Sequence, residues 1–226
     1  MIHPIRLFGD PVLRRRAATV TDFDDDLAAL AADMLETMYA AEGVGLAAPQ
    51  IGVSRRLFVA LQLPTPEDGD DDEARWEART EHVLVNPTIT HRSGVQLGRD
   101  GCLSIPGLTA LDVPRDLRVT VAYQDLRGEP RALTAEGYFA HVLQHEHDHL
   151  EGVLYFDHLP EPRRRAFLEE HRAELADMQR QAKALLRDRR AEPPGTATAS
   201  GRAGGRAGGR DGGRAGGRGG RAPVRR

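Results

Sequence analysis

Three residues a little past the middle of the chain could together bind a metal ion and activate water. His145, Glu146 and His149 form a His-Glu-x-x-His pattern, and on a helix two residues four apart lie on the same face. The two imidazoles can therefore bind one metal ion, while the glutamate beside it accepts a proton. His147 points to another side of such a helix, so it is a poor candidate for the same metal.

The residues around this pattern predict a helix that enters the core. Apolar residues and the two histidines recur at intervals of three and four, the spacing of a buried helical stripe, at Tyr138, Val142, His145 and His149. Buried imidazoles need polar partners, and a single metal ion can serve both of them. Gly152 is placed to end the helix.

A catalytic site of this type needs a third protein ligand. The longer pattern His-Glu-x-x-His-x-x-Gly-x-x-His supplies one from the same segment, but its last position here is Tyr155. The single cysteine, Cys102, lies between a glycine and a short apolar segment and is the best third ligand. A carboxylate such as Glu169 or Glu170 is the alternative, and it would indicate a general metallopeptidase.

Three separated segments resemble the signature motifs of the peptide deformylases, in the same order. They read Gly-Val-Gly-Leu-Ala-Ala-Pro-Gln at 43–50, Gly-Cys-Leu-Ser at 101–104 and Gln-His-Glu-His-Asp-His at 144–149. The resemblance extends from about Ile5 to about Arg190. One residue departs from it, because Asp100 stands where the family usually has glutamate. We expect this acid to anchor the cysteine loop through Arg115, and we expect glutamate to be tolerated in its place.

The resemblance implies a hydrolase that removes the formyl group from the N-terminal formyl-methionine of newly synthesised polypeptides. Cys102, His145 and His149 would hold the metal, and metal-bound water would attack the formyl carbon. Glu146 would act as general base and then as general acid. The expected metal is ferrous iron, which nickel, cobalt or zinc can replace.

The resemblance also implies roles for three residues around the metal. The Gln50 side chain and the Leu103 backbone N–H would stabilise the oxyanion, and the Gly45 backbone would bind the main chain of the substrate. The chain lacks a secretory signal at its N-terminus and an apolar run long enough to span a membrane. We therefore expect a cytoplasmic protein, and the resemblance implies a bacterial enzyme.

The remaining sequence predicts an α+β catalytic domain over residues 1–190. Asp24, Asp25 and Asp26 supply the cap and first-turn acids of a helix that Gly43 should end. Strands are predicted at 56–63, 83–87, 95–97 and 117–124, the last of them in a hairpin. Since no helices separate them, they favour antiparallel sheets packed around the metal-binding helix. A long charged helix should follow from Glu161 to about Arg190.

The net charge of −3 is unevenly distributed. Residues 193–226 contain eight Arg and one Asp, or +7, so residues 1–192 carry −10. The Arg/Gly-rich segment 191–226 has too few apolar side chains to fold, and we expect it to be disordered. It could bind the ribosome and its RNA by charge, together with the long helix, or act as a solubilising extension.

One alternative places the function in this tail, in a nucleic-acid or ribosome-binding protein with a vestigial enzymatic site. The acidic body argues against a broad basic binding face, and the complete His-Glu-x-x-His pattern argues against a dead site. The acidic segment 64–80 is typical of a solvated loop and is given no catalytic role.

Overall fold

A computed structural model describes residues 1–64 and 76–191. Most of the acidic segment predicted at 64–80 and nearly all of the Arg/Gly-rich tail therefore lie outside the described residues. The helices are α1 (Asp25–Ala40), α2 (Gly137–Glu151), α3 (Glu161–Glu170) and α4 (Arg172–Ala191). The strands are β1 (Gly45–Ala47), β2 (Leu57–Gln62), β3 (Thr80–Ser93), β4 (Gln96–Cys102), β5 (Ile105–Arg115), β6 (Arg118–Gln124) and β7 (Pro130–Glu136).

The strands form two antiparallel sheets, as predicted. Five of them pair in the order β1-β2-β3-β6-β7, and β4 pairs only with β5. The strand predicted at 83–87 is much longer than expected, because β3 continues through Asn86, whose φ is +50°. The Asn86 side chain stabilises this irregularity, since its Nδ2 donates to the Val20 carbonyl at 2.9 Å and to Gln124 Oε1 at 2.8 Å.

Helix α1 starts as predicted and ends differently. The Asp24 carboxylate caps it by accepting from the Leu27 N–H at 2.9 Å. At the other end Glu42, not Gly43, takes the left-handed conformation, with φ +54°. The Glu42 N–H donates to the Tyr39 carbonyl at 3.0 Å and the Gly43 N–H to the Met38 carbonyl at 2.9 Å. These two bonds are the pattern of a Schellman C-cap, which normally favours glycine at the position of Glu42.

Helix α2 lies between the five-stranded sheet and the β4–β5 hairpin and is buried on most of its circumference. Tyr138 is an exception to the predicted stripe, because it is 59% exposed at the first turn. Gly152 ends the helix in the left-handed conformation, as predicted. A side chain there would collide with the Arg14 backbone, since an added Cβ would lie 2.7 Å from the Arg14 carbonyl carbon.

The predicted helix from Glu161 to about Arg190 is two helices, α3 and α4, that meet at His171. Helical hydrogen bonds continue across this junction, since the Leu175 N–H donates to the His171 carbonyl at 3.0 Å. Leu175 and Met178 are buried on the seam facing the body, whereas Leu185 is 41% exposed. Within the described ranges, no helix is long and apolar enough to cross a membrane.

Candidate metal centre

The fold brings two of the four histidines of α2, His145 and His149, against the cysteine at the end of β4. Cys102 Sγ lies 3.2 Å from His149 Nε2. One ligand atom from each of Cys102, His145 and His149 lies within 4.8 Å of the others. In residues 1–64 and 76–191 this is the single cluster with metal-binding composition, and it includes neither His147 nor the alternative ligand Glu169.

Asp100 supports the cluster through a hydrogen bond to one of its histidines. Its carboxylate accepts from His145 Nδ1 at 2.8 Å, from Arg115 Nη2 at 2.8 Å and from His141 Nε2 at 3.0 Å. The Arg115 side chain, 2% exposed, also contacts the Asp148 carboxylate. Because Asp100 occupies His145 Nδ1, the Nε2 lone pair of that imidazole is left for a metal ion.

The electrostatics of the centre favour a thiolate. Burial alone would raise the pKa of the Cys102 thiol, but the charges and hydrogen bonds of His149 and His145 outweigh burial and lower the pKa to about 5. Burial likewise opposes ionisation of Asp100, yet His145, His141 and Arg115 hold the pKa of its carboxyl well below the usual range. A thiolate is the form in which cysteine binds metals.

Glu146 lies beside the ligands, against the backbone of Gly45. An added Cβ at Gly45 would lie 2.4 Å from Glu146 Oε1, so any side chain at this position would have to displace the Glu146 carboxylate. Glu146 Oε2 is buried without a hydrogen-bond partner among the described residues. Burial raises the pKa of the Glu146 carboxyl to about 7, although His145 and His149 lower it.

Gln50 reaches the same space from the turn after β1. Its Oε1 accepts from the Ala47 N–H at 2.7 Å, which directs the amide nitrogen toward the centre. The Gln50 Nε2 lies 3.5 Å from both Cys102 Sγ and Ser104 Oγ. The Gln50 amide nitrogen therefore faces the cysteine of the cluster. Leu103, the residue after the cysteine, lines the same pocket.

Residues 2–165 match the family model described as polypeptide deformylase. The peptide deformylase of Thermus thermophilus is 53% identical over 189 residues, which are 83% of this chain and 98% of that protein. The chain belongs to the peptide deformylase family. The enzyme from Desulfotalea psychrophila is 44% identical over 161 residues, covering 71% of this chain and 89% of that one.

Solved structures agree with this assignment. The crystal structure of peptide deformylase from Thermus thermophilus has a TM-score of 0.72 and 52% identity, and the match covers 80% of this chain and 99% of that one. The structure from Thermotoga maritima has a TM-score of 0.60 and 41% identity, covering 71% and 99%. Peptide deformylases are metal-dependent hydrolases that remove N-terminal formyl groups, and this chain has both the family fold and a cluster able to hold the metal.

The family site opens into a pocket of about 470 Å³. The pocket joins the residues that the sequence singled out, including Tyr138 of the predicted stripe, to several that it did not, namely Glu42, Arg99 and His141. His141 had a usable signal, because it lies four residues before His145 and so on the same face of α2. Arg99 had none, since its place at the rim depends on how β4 pairs with β5.

The residues present fit a divalent cation. A thiolate and two imidazoles form a donor set that transition metals prefer. Glu146 Oε2 is buried without a partner in the described part of the chain, which is costly unless a group such as the water of a coordinated ion supplies a hydrogen bond. The cluster therefore offers three groups that could bind a metal ion, beside a pocket, which is the arrangement that a catalytic site requires.

Proposed function

We propose that this chain hydrolyses the formyl group from the N-terminal formyl-methionine of newly synthesised polypeptides and releases formate. The observation that carries the proposal is the cluster of Cys102, His145 and His149 beside Glu146, at the bottom of a pocket in a chain of the deformylase family. Each residue role below is part of the proposal.

Cys102, His145 and His149 would hold one divalent cation through a thiolate and two imidazoles. When bound, such an ion lowers the pKa of water and polarises a carbonyl oxygen. We propose ferrous iron as the native ion, with nickel, cobalt or zinc able to replace it, because imidazole and thiolate suit all of these metals.

Glu146 would serve as the general base and then as the general acid. Its carboxylate is fixed between α2 and Gly45, and its buried Oε2 has no partner in the described residues, so it is available to accept a proton from water. The same oxygen can then donate that proton to the leaving amine. Its buried position keeps bulk water from competing for the proton.

Gln50 and the backbone N–H of Leu103 would donate hydrogen bonds to the oxygen that becomes negative as the formyl carbon is attacked. The bond from the Ala47 N–H to Gln50 Oε1 holds the amide in the required orientation before substrate arrives. The Gly45 backbone would bind the substrate main chain. A formyl carbon carries only hydrogen, so it fits close to Glu146 and Gln50 where a larger acyl group would collide.

The decisive experiment measures metal content and formate release together, on protein purified without oxygen. We expect about one metal ion per chain and formate release from formyl-Met-Ala. In Glu146→Gln, the ligands survive while the proton acceptor is lost, so metal content should stay and activity should fall by about 100-fold or more. Near-normal turnover in Glu146→Gln would refute the role of Glu146, and a metal-bound wild type without formate release would refute the function.

We further propose that the enzyme works in the bacterial cytoplasm and meets its substrate at the ribosome, aided by the basic segment 193–226 and the helix before it. Arginines separated by glycines can bind ribosomal RNA through charge alone. Deletion of residues 193–226 should leave hydrolysis of formyl-Met-Ala intact and weaken sedimentation with ribosomes, which should also fall steeply with salt. Equal sedimentation of intact and truncated proteins at low salt would leave the tail with a solubilising role only.

A further inference from the structure

A second cavity adjoins the metal pocket on the outer face of the β4–β5 hairpin. Its volume is about 590 Å³, and Arg99 and Thr109 line both this cavity and the metal pocket. One wall is the hairpin and the other is α3. We refer to this cavity as the hairpin groove.

The hairpin groove has an apolar floor, and its lining combines Leu111 with charged and polar side chains, among them Glu170 and His171. Ala110, Leu159 and Phe167 form the floor and are all less than 9% exposed, whereas Leu111 at the rim is 60% exposed. Concave sites with an apolar lining and a few polar groups are the usual form of ligand pockets. The groove is therefore suited to an extended chain that buries an apolar side chain.

Arg99 lies where the hairpin groove meets the metal pocket, and its guanidinium is unpaired among the described residues. It is exposed, and no hydrogen bond or ion pair involves it in the part of the chain that the structure describes. The other arginine of the groove, Arg163, is engaged, since it donates to the Leu111 carbonyl at 2.8 Å and lies 3.4 Å from Asp112. Arg99 is thus the cation that an arriving chain would meet first.

The surface between the metal cluster and Arg99 is bare backbone. Side chains alternate along β4, so Asp100 is buried while Arg99 and Gly101 face outward. Gly101 has no side chain, and an added Cβ would lie 3.0 Å from Thr109 Cγ2 on the paired strand. Arg99, Gly101 and Cys102 all line the metal pocket, so an extended peptide can follow this end of β4 from Cys102 to Arg99.

From this continuity we infer that the hairpin groove binds the substrate polypeptide beyond its first residues, and that Arg99 favours an acidic side chain there. The inference rests on the proposed function. A strand rises about 3.3 Å per residue, so Arg99 lies about 10 Å from Cys102 along β4. A substrate whose formyl group sits at the metal cluster would reach Arg99 at about its third or fourth residue, and its next residues would enter the groove.

Reversing the charge at position 99 tests the preference for an acidic side chain. Three formyl-Met hexapeptides would carry Glu, Ala or Lys at positions three and four, and kcat/KM would be measured for each with the intact enzyme. We expect the Glu peptide to exceed the Lys peptide by about two- to fivefold, the effect of an exposed ion pair. In Arg99→Glu the order should reverse, and in the matched control Arg127→Glu, which alters an exposed arginine in the β6–β7 turn, it should stay.

The contribution of the apolar residue Leu111 can be tested separately. For a hexapeptide with Leu at positions five and six, Leu111→Ser should remove the advantage in kcat/KM over formyl-Met-Ala, whereas the control Leu185→Ser on α4 should retain it. Formate release from formyl-Met-Ala by the wild type tests the proposed function alone. If that dipeptide is hydrolysed but kcat/KM depends neither on peptide charge nor on length, or depends equally in the control variants, the groove does not bind substrate.

Discussion

Replacing Asp100 by glutamate probes how tightly the metal centre is packed. Asp100 is 3% exposed and accepts hydrogen bonds from His145, Arg115 and His141 at 2.8 to 3.0 Å. An added methylene moves the carboxyl forward by about 1.5 Å, into space that these donors occupy. The sequence alone led us to expect that glutamate would be tolerated, but the position of His141 leads to the opposite expectation.

The size of the effect follows from overpacking. Inserting a methylene into a well-packed interior costs about 1–3 kcal/mol. If the strain displaces His145, metal affinity should fall by about 5- to 150-fold, at about 1.4 kcal/mol for each factor of ten. Removing the His141 ring would give the longer acid room, so Asp100→Glu combined with His141→Ala should bind metal better than Asp100→Glu alone.

The assay is competition for nickel against a coloured chelator, for the wild type, both single variants and the double variant. We expect a favourable coupling of at least about 0.5 kcal/mol between positions 100 and 141, as for residues in contact. Asp22→Glu, the same change at an exposed site, should leave metal affinity as it is. Wild-type affinity in Asp100→Glu, or additive effects in the double variant, would refute the reasoning.

Three further predictions concern other parts of the molecule. Gly45→Ala should lower kcat by about 100-fold by displacing the Glu146 carboxylate, and turnover near wild type would show that Glu146 can move without loss. Aerobic handling should inactivate the iron form through oxidation of the metal and Cys102 while the nickel form survives, so equal decay of the two forms would contradict iron-centred damage. Asp24→Ala should reduce the free energy of unfolding by about 1 kcal/mol through loss of the α1 cap, measured by urea titration, and an unchanged midpoint would mean that water replaces the cap.

The residues nearest the proposed chemistry were the most predictable from sequence. His145 and His149 are placed by helical periodicity alone, and the lone cysteine beside a glycine identified Cys102 because local composition left few other donors. The antiparallel pairing also followed from local patterns, since strands without intervening helices have short connections. In each case neighbours in sequence determine the geometry.

What the sequence missed depends on local backbone geometry in one case and on contacts between distant segments in the others. Glu42 adopts a left-handed conformation that composition assigns to Gly43, and the Schellman bonds with the preceding helical turn stabilise it there. The irregular extension of β3 depends on Asn86 reaching Val20 and Gln124. Tyr138 keeps helical phase with His145, but it lines the metal pocket and is 59% exposed, so periodicity placed it on the right stripe with the wrong burial.

The division of charge within the centre explains why Asp100 supports the site without competing to be a ligand. The Asp100 carboxylate forms an ion pair with Arg115, whose guanidinium is buried between Asp100 and Asp148. The same carboxylate also accepts hydrogen bonds from His141 and His145. Cys102, in contrast, carries its negative charge among imidazoles. The negative charge of Cys102 therefore lies where a divalent cation would bind. The charge of Asp100 is neutralised by Arg115, and its carboxylate fixes the orientation of the His145 ring.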